Sequence, residues 1–189
     1  MKYPNGIKKQ NIINNISYTN RGMTLENDLN ETNEYYRQID KAYIYKKPTP
    51  IKITKVDYPS RDKAVIKEAF FSAPSTTDYN GIYKGKYIDF EAKETKSKTS
   101  FPLTNIHSHQ IEHIKNIHNH QGIVFLIVRF VLLNETYLLL SKDFLDFIKK
   151  NKRNSIPLSF FKENAYLIKE GYRPRVDYLK IIDDIIGGI

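Results

Sequence analysis

The chain contains no cysteine. It therefore has no disulfide, no thiolate nucleophile and no cysteine-based zinc or iron–sulfur centre. Long apolar runs are also missing. The longest, Ile123 to Phe130, is interrupted by Arg129 and falls well short of the ~20 residues of a membrane span. The first residues show no charged-then-apolar leader, so a cytoplasmic protein with no membrane partner is expected. Acidic residues are the scarcer charge: 21 Asp and Glu stand against 30 Lys and Arg, a formal net charge of +9. Such a surface attracts polyanions by long-range field and counterion release. Nucleic acid is the partner this favours, although a Lys/Asn-rich proteome gives a similar balance.

A length of 189 residues suits one folded domain. Residues 1–20 are polar and Asn-rich, with Lys2, Lys8 and Lys9, and read as a flexible basic arm. Residues 21–189 read as a single domain. The pattern from Gly22 to Ile39 predicts a helix, with Met23, Leu25, Leu29 and Tyr36 as its apolar face. Ala42 to Lys46 predicts a short strand, ended by Pro48 and Pro50. Ile51 to Phe71 reads as an insertion shaped as a hairpin, with a turn at Pro59 to Asp62 and a second half that is either extended or a short helix.

Tyr79–Tyr83, a Lys84-Gly85 turn and Tyr87–Lys93 predict a β-hairpin. Thr104 to His118 carries Ile106, Ile111, Ile114 and Ile117 at helical spacing, with Gly122 just beyond. Ile123–Phe130 and Thr136–Ser141 predict a second hairpin; Lys142–Lys150 and Leu179–Ile186 predict later helices. This order of elements points to a mixed α/β layer.

The chemistry concentrates in Tyr87-Ile88-Asp89-Phe90-Glu91-Ala92-Lys93. On a strand, Ile88, Phe90 and Ala92 share one face, and Asp89, Glu91 and Lys93 the other. Neighbours on that face stand about 6.6 Å apart, so a carboxylate and an ammonium reach one phosphate together. Asp78, upstream, comes beside Glu91 if the hairpin forms. Two carboxylates offer hard oxygen ligands for Mg²⁺. The metal would activate water, and the lysine would stabilise the developing charge. On spacing alone, a solvated strand face with an exposed salt bridge is the better reading.

The surrounding residues change that balance. Asn20-Arg21-Gly22-Met23-Thr24-Leu25-Glu26, Lys46-Lys47-Pro48-Thr49-Pro50, Ser75-Thr76-Thr77-Asp78-Tyr79-Asn80-Gly81 and Ile88-Asp89-Phe90-Glu91-Ala92-Lys93-Glu94-Thr95 closely resemble the RecU family of Holliday junction resolvases. So do Phe101-Pro102-Leu103 and His109-Gln110, and the likeness extends from about Tyr3 to Ile182.

The resemblance implies an α/β fold: a restriction-endonuclease-like mixed sheet flanked by helices, with a projecting stalk insertion at about 51–71 that enters the junction. It implies a homodimer that makes paired symmetric nicks in four-way DNA junctions during recombination and repair. The implied cofactor is Mg²⁺, with Mn²⁺ able to substitute. Asp78, Glu91 and Lys93 match the catalytic motif, and Glu26 matches an acid that the first helix points at the site. Thr76 and Gln110 match family positions close to the active site, and with Asp78 and Glu91 they are the residues that would hold the metal. Lys46, Lys47, Arg61, Lys93 and Lys96 are candidate DNA contacts. Branch-migration and strand-exchange proteins are further partners implied by the likeness. Thr77 stands where the wider nuclease motif has proline, as in RecU itself. The basic arm is shorter than in the relatives, which bears on DNA binding by the arm and not on the catalytic assignment.

Other readings compete. A non-catalytic junction-binding or remodelling protein accounts for the net charge, and a restriction-type duplex endonuclease accounts for the acids. Asp89 is expected to be a surface or supporting acid, and Glu94 to have no chemistry. His109 and His113 have the i, i+4 spacing of a zinc pair, but within His-Gln-Ile-Glu-His, which reads as a plain polar helix face. Tyr79 and Tyr83 read as packing residues.

Overall fold

The computed structural model describes residues 24–72 and 76–187. The basic arm, Gly22 and Met23 lie outside the described residues. Helix α1 spans Leu25–Gln38. The Thr24 hydroxyl accepts the Asn27 N–H and caps its start, Glu26 and Asp28 favour its positive end, and Asp40 at φ 54° stops the chain just beyond it. Its buried stripe, Leu25, Leu29, Thr32, Asn33 and Tyr36, follows the three-and-four spacing of one helix face.

The strands of the main sheet are β1 (Tyr43–Lys46), β4 (Tyr79–Tyr83), β5 (Lys86–Thr95), β7 (Ile123–Phe130), β8 (Glu135–Leu140) and β10 (Tyr166–Ile168), and they lie in that spatial order. Neighbours are antiparallel except β5 and β7, which are parallel. A parallel pair needs a crossover, and here it contains helix α2 (Ser108–Asn119). Helices α3 (Ser141–Lys150), α4 (Leu158–Asn164) and α5 (Tyr178–Gly187) complete the layers. Strands β6 (Ser100–Pro102) and β9 (Ser155–Pro157) pair in a small separate ribbon.

Strand β7 is buried on both faces, and its side chains alternate between two cores. Phe125 and Ile127 join α1 and α5 residues on one side; Val124, Leu126, Val128 and Phe130 join Ile114, Phe144 and Phe161 on the other. Within the first core, Tyr79 stacks on Phe90 at 4.7 Å and Phe90 on Phe125 at 4.9 Å, with Tyr178 tilted against both phenylalanines. This column joins β4, β5 and β7 beneath their ends and contributes beyond simple area burial. Tyr79 is thus the packing residue expected.

Arg129, which interrupts the apolar run, is buried and held. It meets the Asp28 carboxylate at 2.6 Å and donates to the Thr136 hydroxyl at 3.0 Å. Arg175 also reaches Asp28, at 3.1 Å, so one buried acid fastens α1 to β7 and to the chain after β10.

Gly81 marks the closest approach of β1 and β4. A Cβ there would lie 2.1 Å from the Tyr43 carbonyl oxygen, a backbone atom that cannot move aside.

The insertion is a hairpin of β2 (Ile51–Asp57) and β3 (Val65–Phe71), which among the described residues pair only with each other. Its second half is a strand and not a helix. Every residue of both strands is exposed, including Ile51, Ile53, Val56, Val65, Ile66, Phe70 and Phe71.

Some expectations shift. Helix α2 starts at Ser108, not Thr104: Leu103–Asn105 form a 3-10 turn and Ile106 is extended. The Gln110 side chain accepts the His107 N–H at 3.0 Å, a reach-back bond that sets the start of the helix. After α2 the left-handed residue is Gln121, at φ 63°. Gly122 is needed for space instead, since a Cβ there would lie 2.5 Å from the Ile117 methyl.

Candidate active site

The β4–β5 register pairs Tyr79 with Phe90, which sets Asp78 opposite Glu91 just before β4 begins. Alternation sends Ile88 and Phe90 into the α1/α5 core and turns Asp89 and Glu91 towards α2. Both of these acids are fully buried. The crossover between β5 and β7 lays α2 over them, which is how Gln110 comes to meet Glu91.

Glu91 is half satisfied. Its Oε1 accepts from Gln110 Nε2 at 2.7 Å and faces Lys93 Nζ at 2.6 Å. Its Oε2 is buried with no partner. Burial first, and then the charge of Asp78 beside it, push the Glu91 carboxyl up to about 7, against the pull of Lys93. A buried oxygen without a donor, next to a second carboxylate, is a place that holds a proton or a cation. The donors are hard oxygens and suit Mg²⁺ or Mn²⁺. Among the described residues no three His, Asp or Glu side chains gather around one point. The charged donors at this point are therefore a carboxylate pair, with the Thr76 hydroxyl and the Gln110 amide as the neutral side chains expected beside them.

Around this pair stand the other expected residues. Gln110 is buried, and its amide oxygen is taken by His107, so the side chain orients Glu91. Thr76 is half-buried and donates to the Thr77 carbonyl at 3.3 Å. Glu26 sits on the first turn of α1, largely exposed, and pairs with Lys46 at 2.6 Å. Glu26, Asp78 and Lys93 line one open cleft of about 450 Å³, together with Thr24, Tyr79 and Glu94. A slightly larger groove, about 540 Å³, lies between α1 and residues 171–175, away from these acids.

Lys47 is mostly buried and bonds Asp89 at 2.7 Å and Thr77 at 2.9 Å. Arg61 is exposed in the turn of the β2–β3 hairpin, and Lys96 lies just past β5. The His109–His113 pair does not converge: His113 reaches Asp89 at 3.3 Å, while His109 stacks on His107.

Two neighbours of the site are held by hydrogen bonds. Of the two alternatives expected for Asp89, a surface or a supporting acid, the surface one does not hold: it is buried, taking bonds from Lys47, Thr77 and the Tyr87 hydroxyl. Strand alternation places it on the Glu91 face; burial by α2 is the fact that alternation does not carry. Glu94, for which no chemistry is expected, has a structural bond: it accepts the Leu25 N–H at 2.7 Å and ties the start of α1 to β5.

Known proteins resemble this chain over most of its length. The family model described as "RecU: Recombination protein U" matches residues 20–184. A protein of Bacillus cereus strain G9842 described as Holliday junction resolvase RecU is 51% identical over 195 residues, covering 98% of each chain. The protein of that description from Bacillus anthracis has the same identity and coverage. The solved structure of Hjc, a Holliday junction resolvase of Archaeoglobus fulgidus, aligns with 71% of this chain and 94% of its own, with a TM-score of 0.41 and 9% identity. A likeness that loose carries no argument.

Proposed function

The chain belongs to the RecU family, and from that premise we propose that it is a Holliday junction resolvase whose cutting is driven by a divalent cation at Asp78 and Glu91. The family match across most of the chain carries the substrate and the reaction class. The half-satisfied Glu91 carboxylate beside Asp78 carries the placement of the metal.

Asp78 and Glu91 would hold the ion, Glu91 through its unpartnered Oε2. When bound, it polarises a phosphoryl oxygen and lowers the pKa of a water aimed at phosphorus. Lys93, its ammonium beside Glu91 and partly open to the cleft, supports negative charge at the phosphate. Gln110 keeps Glu91 aimed. Glu26 and Lys46 stand at the rim as an exposed pair that opens when a phosphate displaces the carboxylate. Lys46, Arg61 and Lys96 lie on solvent-facing positions suited to phosphate contacts, and Mg²⁺, with Mn²⁺ as substitute, is the cation we propose.

We also propose a homodimer acting in the cytoplasm. A hairpin exposed on both faces with this many large apolar residues is a surface that a second copy covers. Two copies related by a two-fold axis present two sites, as paired nicks in a four-way junction require. No described helix is long and apolar enough to cross a membrane.

Incubation of labelled four-way junctions with Mg²⁺ tests the reading. Wild type gives symmetric paired nicks, and Asp78→Asn binds the junction without cutting it. Junction binding with no cutting by wild type identifies a non-catalytic remodelling module instead. Cutting of linear duplex at a defined sequence, without preference for junctions, identifies a restriction-type enzyme.

A further inference from the structure

Asp89 lies two residues before Glu91 on the same strand face and is completely shielded from solvent. Lys47 stands directly across the sheet from Asp78: its backbone N–H donates to the Asp78 carbonyl at 2.8 Å, one step beyond the last β1–β4 pair. Its ammonium has two destinations on that face. One is the Asp78–Glu91 pair, the other is Asp89. It takes the second, at 2.7 Å, and shares the Thr77 hydroxyl at 2.9 Å. Thr77 is itself buried and also bonds Asp89.

We propose that Asp89 is a positioning residue for the metal site: it parks the Lys47 ammonium away from the Asp78–Glu91 carboxylates and, through Thr77, clasps the chain that delivers Asp78. This rests on the reading of Asp78 and Glu91 as the cation ligands. Two physical facts carry it. A nearly buried ammonium next to an acidic pair neutralises that pair if nothing else engages it, and so competes with an incoming cation. Asp78 also enters β4 from outside regular pairing. Among the described residues, its place is set by a backbone bond from Lys47 and by the adjacent Thr77, both anchored on one buried carboxylate. Supports of this kind orient metal ligands and set their affinity. The Tyr87 hydroxyl, at 2.9 Å, and His113, at 3.3 Å, complete the surroundings of Asp89 and leave it no freedom to reach the cleft.

The test is calorimetric titration of the full-length, DNA-free protein with Mn²⁺, with circular dichroism as the check on folding. Four variants are compared with wild type: Asp78→Asn, Asp89→Asn, Asp89→Asn combined with Lys47→Met, and Thr77→Val. Wild type binds, and Asp78→Asn loses the binding. If instead wild type shows no binding, or Asp78→Asn retains it, the ligand assignment itself fails.

With that assignment standing, Asp89→Asn weakens Mn²⁺ affinity by about 10-fold or more, the usual effect of removing a support behind a metal ligand. The double variant, with no stranded ammonium, recovers most of the loss, a return that a purely structural role of Asp89 does not produce. Thr77→Val keeps both charges, removes only the hydroxyl link, and weakens binding severalfold; it decides the question if Asp89→Asn does not fold. Wild-type affinity in Asp89→Asn overturns the proposal, and so does a double variant as weak as the single one. If only Thr77→Val and the double variant fold, wild-type affinity in Thr77→Val overturns it.

Discussion

Without a bound cation, the carboxylate pair makes the folded protein less stable as the solution becomes more alkaline. Glu91 carries an ordinary carboxyl value of 4.5 when unfolded and about 7 when folded, raised first by burial and then by Asp78. A raised value means that the folded chain holds this proton more tightly than the unfolded chain does. The favourable contribution is complete below about pH 4.5 and is lost as pH climbs through about 7. Its size is on the order of 3 kcal/mol, at about 1.36 kcal/mol per pH unit. For a chain of this length that corresponds to roughly 6–12 °C in melting temperature. A divalent cation offsets the penalty, and it competes with the proton at low pH. Thermal unfolding at about pH 5.5, 7 and 8.5, with EDTA and with Mg²⁺, measures both effects. Stabilisation by Mg²⁺ is expected to grow with pH. Asp78→Asn removes one cause of the rise and is expected to melt higher than wild type at the alkaline end in EDTA while cutting nothing. Mg²⁺ stabilisation that is flat with pH, or an Asp78→Asn protein that melts lower, refutes the reasoning.

Three other outcomes are expected. Gln110→Leu frees Glu91 from α2 and should lower the metal-dependent cutting rate by about 10–100-fold with the fold intact, read by junction cleavage beside circular dichroism. Arg129→Met leaves the buried Asp28 carboxylate without its 2.6 Å partner and should cost about 3–5 kcal/mol in urea unfolding. Gly81→Ala sets a methyl 2.1 Å from a backbone oxygen; β1 is displaced, and tryptic cleavage after Lys46 should accelerate several-fold while α3 and α4 stay protected.

The juxtaposition of Asp78 and Glu91 was legible because it needs only a hairpin: Lys84-Gly85 makes the turn, and the strand register puts Asp78 across from Glu91. Tyr79 and Tyr83 were legible as packing residues for the same reason. The burial of Asp89 was not, because a strand pattern says which face a residue takes and not whether a helix covers that face. Only the parallel pairing of β5 with β7 decides that. Arg129 read as a break in an apolar run, and its partners Asp28 and Glu170 are too far along the chain for any local pattern. The three-residue strands β6, β9 and β10 are shorter than the repeat needed to see a period. Helix α4, at seven residues, shows little more than one.

The parallel pairing has a consequence for the order in which the molecule becomes dangerous to DNA. Glu91 is aimed by Gln110, nineteen positions later, and Gln110 arrives only when the crossover closes on β7. Non-local pairing of this kind is slow to form, since the intervening loop must be closed before any contact rewards it. A nascent or half-collapsed chain can zip the Asp78–Glu91 hairpin early and still lack an oriented carboxylate. If Glu91 is the cation's ligand, scission would thereby wait until the central sheet is assembled.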